Sequence, residues 1–274
     1  MDKYSLKMLL RSIRSSLGRY LAILAIVALG VGIFAGLKSS QPAMQSTVDE
    51  YMRDNRMFDF QLMSSLGLTE SDRAAFAQLD GVKYAEGAYG VDAMAEVGKT
   101  EEPYRFMSVT ENVAVPLLVA GRMPETDGEC LADAGAFSEK DIGKTVQLSE
   151  DNDADTLDMF TSRSYKIVGI AKSPRYISND RGSTSLGSGS LKGFIILPAA
   201  AFNSEVYHEI LLYCNLDGAL FSSEYDTARD KLKPRIQQLL NRCGARRYET
   251  LRAETDAKLA DAQLEINDGW DEYY

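Results

Sequence analysis

An uninterrupted apolar run near the N-terminus constrains the fold of this chain more than any other feature. Residues 20–37, YLAILAIVALGVGIFAGL, occupy eighteen positions without a charged side chain. A helix rises about 1.5 Å per residue, so a run of this length comes close to spanning the ~30 Å hydrocarbon core of a bilayer. We therefore predict a single transmembrane helix over residues 20–38.

A cleaved signal peptide is the alternative interpretation of this run. Its apolar region would be about 7–15 residues long and would follow a short basic start. Here nineteen residues precede the run, and no A-x-A cleavage site follows it. The pattern favours an uncleaved anchor in the cell membrane.

The distribution of charge predicts the orientation of that anchor. The net charge is −10, but the first 38 residues contain six basic residues and one acidic residue, so they carry +5 and the remainder carries −15. Because basic residues flank the cytoplasmic side of membrane spans, we expect the N-terminus in the cytoplasm and the chain from about Ser39 onward outside it. An acidic body without a basic stripe argues against nucleic acid as a partner.

The residues before the span have the pattern of an amphipathic helix. Leu6, Leu10, Ile13 and Leu17 recur at helical spacing, while lysines and arginines occupy the other faces. Such a helix suits the inner leaflet, so residues 1–19 are predicted to lie at the cytoplasmic surface of the lipid bilayer.

Small residues form a stripe along the predicted span. Ala28, Gly32 and Gly36 recur every four residues, and Gly32-Ile-Phe-Ala-Gly36 is a G-x-x-x-G motif. Small side chains allow another helix to approach closely, so these three are our candidate helix-packing residues. A lone span that happens to be rich in glycine is the alternative.

The segment 39–222 predicts a mixed domain of strands and helices. The span is expected to continue helically, after a kink or break near Pro42, to Asp54, and Thr69 is expected to cap a short helix. Short runs with strand character, separated by turn residues, make up most of the remainder. These predicted strands are MFDFQLM (57–63), VKYAEG, YRFMSV, VPLLVAG, ECLADA, TVQLS, SYKIVGIAK, GFIILP and EILLYCNL.

The segment 223–274 predicts helix, with possible interruptions at Pro234 and Gly244. Its last part has apolar and small residues alternately three and four positions apart, the spacing with which a coiled coil begins. These positions are Leu259, Ala262, Ile266, Gly269 and Tyr273. The fold class is therefore α+β, with one transmembrane helix before the domain and the start of a coiled coil after it.

The loop RGSTSLGSGSLKG, residues 181–193, has glycines spaced as in a phosphate-binding loop but lacks the rest of that motif. A P-loop requires lysine and then serine or threonine after its second glycine, whereas this chain has Ser188 and Gly189 there. A dinucleotide fingerprint fails because Gly193 comes one residue too late, and a strand follows where a helix is needed. We expect a surface loop whose glycines provide backbone freedom and close approach to a neighbour.

Three alternating aspartates, Asp151, Asp153 and Asp155, resemble the start of a calcium loop. An EF-hand requires glycine at its sixth position and glutamate at its twelfth, where this chain has Thr156 and Ser162. The segment is better explained as a solvated acidic hairpin tip.

The remaining candidates for chemistry lack recognisable partners. His208 is the only histidine, and no G-x-S-x-G or H-E-x-x-H motif accompanies it. The cysteines are odd in number and include no C-x-x-C pair, which indicates buried structural thiols at Cys130, Cys214 and Cys243. We predict no catalytic, cofactor-binding or metal-binding residues, and we do not expect an enzyme.

Three segments together give the chain a family resemblance. RSSLGRYLAILAIVALGVGIFAGLKSS (14–40), GRMPETDGECLAD (121–133) and SPRYISNDRGSTSLGSGSLKGFIILP (173–198) resemble the large FtsX/MacB-type permeases of ABC transporters, especially those of Gram-positive bacteria. The resemblance implies that residues 39–222 form a MacB-like extracytoplasmic core domain. It also implies a cytoplasmic ABC ATPase as partner, together with further permease helices or a second permease copy.

The function implied by this resemblance is mechanical transmission without chemistry in the permease itself. ATP hydrolysis by the partner would move the extracytoplasmic domain and export or extract a lipid, peptide or antimicrobial compound. The later helices of the family do not occur in residues 1–274, so we expect an N-terminal fragment or a truncated product. A membrane-anchored binding or sensor module and a regulator of cell-wall hydrolases are the alternatives.

Overall fold

The computed structural model describes Tyr4, Ser5, Lys7, Met8, Arg11, Arg14 and residues 16–273, with side chains as far as residue 267. The predicted interfacial helix over 1–19 depends on Leu6, Leu10 and Ile13, which lie outside the described residues. The chain divides into two compact units, one of Met1–Tyr51 with Ala219–Phe221 and one of Met52–Gly218 with Ser222–Tyr274.

The first unit consists mainly of the long helix α1, Leu17–Asp54. It is the one helix in the described part of the chain that is long and apolar enough to cross a membrane, and its apolar window is fully exposed. Helical backbone continues through Pro42, where the sequence predicted a kink or break. One turn before it, the hydroxyls of Ser39 and Ser40 donate to the carbonyls of Gly36 and Leu37 at 3.1 and 3.0 Å.

The second unit contains ten strands and three helices, joined by loops and 3-10 turns. The helices are α2 Glu70–Ala77, α3 Ala154–Asp158 and α4 Ser223–Tyr273. The strands are β1 Phe60–Leu68, β2 Val82–Ala88, β3 Gly90–Val97, β4 Thr100–Ser108, β5 Leu117–Gly121, β6 Glu129–Asp133, β7 Thr145–Leu148, β8 Ser164–Lys172, β9 Gly193–Leu197 and β10 Tyr207–Cys214.

Three strands from opposite ends of the unit form an antiparallel sheet in the order β1-β10-β2. Alternate residues of each strand point to one face, where Leu62, Ile210 and Leu212 pack against Phe76 of α2 and Ile236 of α4. As predicted, Thr69 caps α2: its hydroxyl accepts from the Asp72 amide, and the Asp72 carboxylate accepts from the Thr69 amide.

The other seven strands form a mixed sheet in the order β5-β8-β6-β9-β4-β3-β7. Because β7 pairs with β8 as well as with β3, six of these strands close into a barrel, and β5 adds to the free part of the β8 edge. The barrel interior is filled by side chains, including Phe106, Tyr165 and Ile195, each fully buried. This core is solid, so the barrel encloses no channel.

Three features of the second unit differ from the sequence prediction. Strand β3, GVDAMAEV, was not among the predicted strands, because its small and acidic residues lack strand propensity. In the barrel Ala93 and Ala95 are fully buried beside larger neighbours, so their small size fits the interior. Strand β1 begins at Phe60 and not at Met57, and α4 continues without interruption through Pro234 and Gly244.

Helix α4 is fixed to the domain by its first half only. Leu232, Ile236 and Cys243 are buried, whereas every described side chain from 252 to 267 is exposed, including Leu259 and Ile266. Gly269 and Tyr273 lie beyond the described side chains. The coiled coil therefore remains a prediction for this exposed part of α4.

Candidate functional site

Two places in the second unit bring polar side chains together from distant parts of the chain. The first, the junction, is where Arg53 and Asp59, at and just after the end of α1, contact the segment from Cys214 to the first turn of α4. Arg53 donates to the Gly218 carbonyl, the Asp59 carboxylate accepts from the Tyr225 hydroxyl at 2.7 Å, and its other oxygen accepts from the Cys214 amide at 2.7 Å. These bonds connect the end of α1, the start of β1, the end of β10 and the start of α4.

Burial is the main influence on the carboxyl group at the junction. Desolvation raises the pKa of Asp59 above its ordinary value, and the hydrogen bonds from Tyr225 and Cys214, with the nearby Arg53 charge, oppose that rise. Burial, and then the hydrogen bond to Asp59, raise the pKa of the Tyr225 hydroxyl. Tyr225 therefore keeps its proton at neutral pH and donates it to the Asp59 carboxylate, which joins α4 to the start of β1.

The second place, the inter-sheet cleft, lies between the free face of the three-stranded sheet and the outer wall of the barrel. Its volume is about 250 Å³. It is lined by Gln61 and Met63 of β1, Gly90 and Asp92 of β3, Arg105 and Met107 of β4, His208 and Glu209 of β10, and Arg175 from the segment after β8. Strands separated by more than a hundred positions meet here, so no local motif marks the cleft in the sequence.

Two arginine–carboxylate pairs organise the cleft. Arg175 binds Glu209 through both terminal nitrogens, at 2.5 and 3.0 Å, and the side chains are 18% and 6% exposed. Arg105 binds Asp92 through Nε and Nη2, the latter at 3.0 Å. The Arg175–Glu209 pair joins the barrel side to the sheet, and bidentate geometry of this kind fixes both side chains.

His208, for which the sequence predicted no catalytic or metal-binding role, lines the cleft. Its Nδ1 lies 3.2 Å from the Gly90 amide nitrogen and 3.0 Å from the Gly90 carbonyl oxygen. The ring contacts the Tyr89 ring edge-on, with centroids 5.7 Å apart. Hydrogen bonding through Nδ1 fixes the ring and leaves Nε2 as the nitrogen available to the cleft.

The glycine-rich loop 181–193 is anchored at its first residue. Arg181 donates to both oxygens of Asp133, and these side chains are 9% and 1% exposed. Gly187 and Gly189 have φ values of +51° and +83°, and a Cβ on Gly187 would lie 3.3 Å from the Met94 sulfur. The glycines thus serve a tight, close-packed turn, and strand β9 follows directly.

The other residues considered as candidates from the sequence, namely the aspartates of 151–155, the small residues of the span and the cysteines, do not come together in one site. In the described part of the chain, no group of three or more His, Cys, Asp or Glu side chains is arranged to hold a metal. Asp153 caps α3, its carboxylate accepting from the Thr156 amide at 2.6 Å. Ala28, Gly32 and Gly36 lie in α1, where a Cβ added to either glycine would meet nothing within 4 Å. The three thiols are free and buried.

Stability is expected to fall in acid because of two surface ion pairs outside the cleft. Arg122 lowers the pKa of Glu129 to about 2, and Lys144 lowers that of Asp141 to about 2. Carboxylates with depressed pKa values stabilise the fold above their unfolded pKa, near 4.5 and 3.8, and this contribution disappears as pH falls towards 2.

Glu129→Gln should therefore lower the free energy of unfolding more at about pH 6 than at about pH 3. Urea unfolding of wild type and variant at both pH values measures the difference. An equal loss at the two pH values would contradict the assignment of the acid sensitivity to this pair.

Comparison with known proteins gives weak structural neighbours. The sequence matches no protein-family model and no curated protein. The extracellular domain of the noncanonic ABC-type transporter YknZ from Gram-positive bacteria is 15% identical, over 65% of this chain and 84% of that chain, with a TM-score of 0.38. The periplasmic region of MacB from Actinobacillus actinomycetemcomitans is 14% identical, over 64% and 75%, with a TM-score of 0.37. Both scores are too low to assign a shared fold and both identities too low to assign a shared function.

Proposed function

We propose that this chain is the N-terminal part of an ABC transporter permease subunit. A cytoplasmic ABC ATPase would hydrolyse ATP, and the permease would pass the resulting movement to its extracytoplasmic domain to export or extract a lipid, peptide or antimicrobial compound. The N-terminus would lie in the cytoplasm and the bulk of the chain outside the cell membrane. The permease would supply no chemistry of its own, no cofactor and no catalytic residue.

The continuous helix α1 is the observation that carries this proposal. Its apolar run is followed by helical backbone as far as Asp54, and no Gly/Ser-rich linker lies between the two. Its last turn belongs to the second unit, where Arg53 donates to the Gly218 carbonyl. A simple anchor functions with a flexible linker, whereas mechanical transmission requires a stiff one.

The proposal can be tested at the helix-packing residues Ala28, Gly32 and Gly36. Gly32→Leu with Gly36→Leu should disrupt assembly with the other permease helices or a second copy, because leucine prevents close approach of two backbones. Gly30→Leu is the matched control, since residue 30 lies about 200° around the helix from Ala28. Tagged protein is purified from native membranes in mild detergent, and the co-purifying ABC ATPase is quantified.

Wild type and Gly30→Leu should retain the ATPase, and the double variant should retain about tenfold less, corresponding to the ~1–2 kcal/mol of one helix contact. Absence of any ABC ATPase from the wild-type complex would contradict the proposal. Recovery of a cell-wall hydrolase in its place would favour the regulator alternative. A double variant that retains as much ATPase as wild type would contradict the assignment of Ala28, Gly32 and Gly36 as helix-packing residues.

A further inference from the structure

The inter-sheet cleft contains polar atoms that the fold itself does not use. In the described part of the chain no buried side-chain nitrogen or oxygen lacks a hydrogen-bond partner. Arg105 Nη1, His208 Nε2 and Gln61 Oε1 make no hydrogen bond to another described residue, although all three side chains line the cleft. These atoms are therefore open to solvent and available to a ligand.

The two carboxylates in the cleft are already satisfied. Glu209 accepts two bonds from Arg175 and one from Gln61, and Asp92 accepts two from Arg105. A cation would have to displace an arginine from either carboxylate, which would leave the guanidinium unpaired. What the cleft still offers is a guanidinium N–H and, in the tautomer in which His208 Nδ1 accepts from the Gly90 amide, the Nε2–H of the imidazole, and both donors suit an anionic group.

Charge favours an anion with a single negative charge. Two arginines and two carboxylates line the cleft, so the formal charge of these four groups is zero. A dianion such as phosphate would be repelled by Asp92 and Glu209 in a partly enclosed space. A monoanion can bind Arg105 Nη1 with weaker repulsion from these carboxylates. Met63 is 67% exposed and Met107 is 4% exposed, so one wall provides apolar, adaptable contact surface.

We propose that the inter-sheet cleft binds a small organic monocarboxylate. Its carboxylate contacts Arg105 Nη1 and His208 Nε2, and its apolar body lies against Met63. The volume of about 250 Å³ is near the lower end of the roughly 300–1,000 Å³ typical of ligand pockets, which suits an amino-acid-sized group. A free organic acid and the C-terminus of a peptide share this chemistry. The inference does not depend on the proposed transport function.

Calorimetric titration of the full chain in detergent micelles tests this inference. N-acetyl-leucine is compared with N-acetyl-leucinamide, which has the same shape without the charge. The acid should bind at least tenfold more tightly than the amide, the loss expected when one charge-assisted hydrogen bond is removed. The N-acetylated peptide Ala-Ala-Ala-Leu with a free carboxylate distinguishes the sources: binding as tight as that of N-acetyl-leucine indicates a peptide C-terminus, and much weaker binding indicates a free acid.

Two variants locate the binding in the cleft. Arg105→Gln should weaken N-acetyl-leucine binding about tenfold or more, and His208→Gln should weaken it by a smaller factor without removing an ion pair. Arg122→Gln is the matched control, because it also removes an arginine–carboxylate pair, here with Glu129, but lies outside the cleft. Its affinity should stay within about twofold of wild type.

The proposal is overturned if neither acid nor peptide binds at millimolar concentration, or if the amide binds as tightly as the acid. It is also overturned if both cleft variants, shown by circular dichroism to be folded, keep wild-type affinity. A failure of these titrations leaves the co-purification experiment untouched, so the two proposals are tested separately.

Discussion

Replacing Asp133 with alanine is expected to lower the free energy of unfolding by about 3–5 kcal/mol. Asp133 is 1% exposed and Arg181 is 9% exposed, so the substitution leaves a guanidinium buried without its counter-charge. It also removes the acceptor for the Gly135 amide, which lies 2.7 Å from Asp133 Oδ1. Since domains are stable by only ~5–15 kcal/mol, this loss is a large share of the total.

Urea unfolding followed by circular dichroism measures this loss, with Asp80→Ala as the control. Asp80 also pairs with an arginine, Arg235, but its side chain is 94% exposed, so its replacement should cost no more than ~0.5 kcal/mol. Removing both buried charges, with Asp133→Leu and Arg181→Met, should restore part of the stability. A cost below about 1 kcal/mol for Asp133→Ala would show that solvent reaches Arg181.

Phe106→Ala is the second substitution with a large expected effect, again about 3–5 kcal/mol. The ring is fully buried inside the barrel and meets the Phe160 ring edge-on, with centroids 5.2 Å apart. Removing it takes apolar area out of the core and leaves a cavity that the closed strands cannot collapse around. Thermal unfolding of the variant should shift to lower temperature.

Phe221→Ala provides the comparison, because Phe221 is 59% exposed. Its backbone has a φ of +69°, which phenylalanine and alanine disfavour equally, so the substitution does not change backbone strain. Its replacement should change stability by less than ~0.5 kcal/mol. Similar losses for the two phenylalanines would contradict the description of the barrel interior as a close-packed core.

The strands that could be predicted from sequence are those with a dense β-branched or aromatic pattern. Strand β8, SYKIVGIAK, and strand β9, GFIIL, were predicted with nearly their observed bounds because both are rich in β-branched and aromatic residues, and Pro174 and Pro198 follow them closely. Strand β3 was missed, since Ala93 and Ala95 owe their position to the barrel interior and not to intrinsic propensity. The helix from Ser223 was predicted at its observed start, and the tertiary contacts of Leu232 and Ile236 explain why Pro234 does not end it.

Neither the junction nor the cleft could be predicted from sequence. Asp59 and Tyr225 are 166 positions apart and Arg175 and Glu209 are 34 apart, and nothing in their local sequence indicates that they meet. The glycine-rich loop shows the reverse: its motif is conspicuous in the sequence, but its glycines only allow a tight turn and form no binding site with other residues that the structure describes. Spacing along the chain detects sites built on one element, whereas sites built across two sheets require the pairing of strands to be known.

The order of strands along the chain has a consequence for synthesis on the ribosome. All strands of the seven-stranded sheet lie within residues 90–197, whereas the three-stranded sheet takes β1 and β2 from before that stretch and its central strand, β10, from after it. The barrel can therefore close while the nascent chain is still being extended. Strands β1 and β2 both pair with β10, so they cannot form their sheet until residue 214 has left the exit tunnel. Until then their apolar residues have to be protected from aggregation.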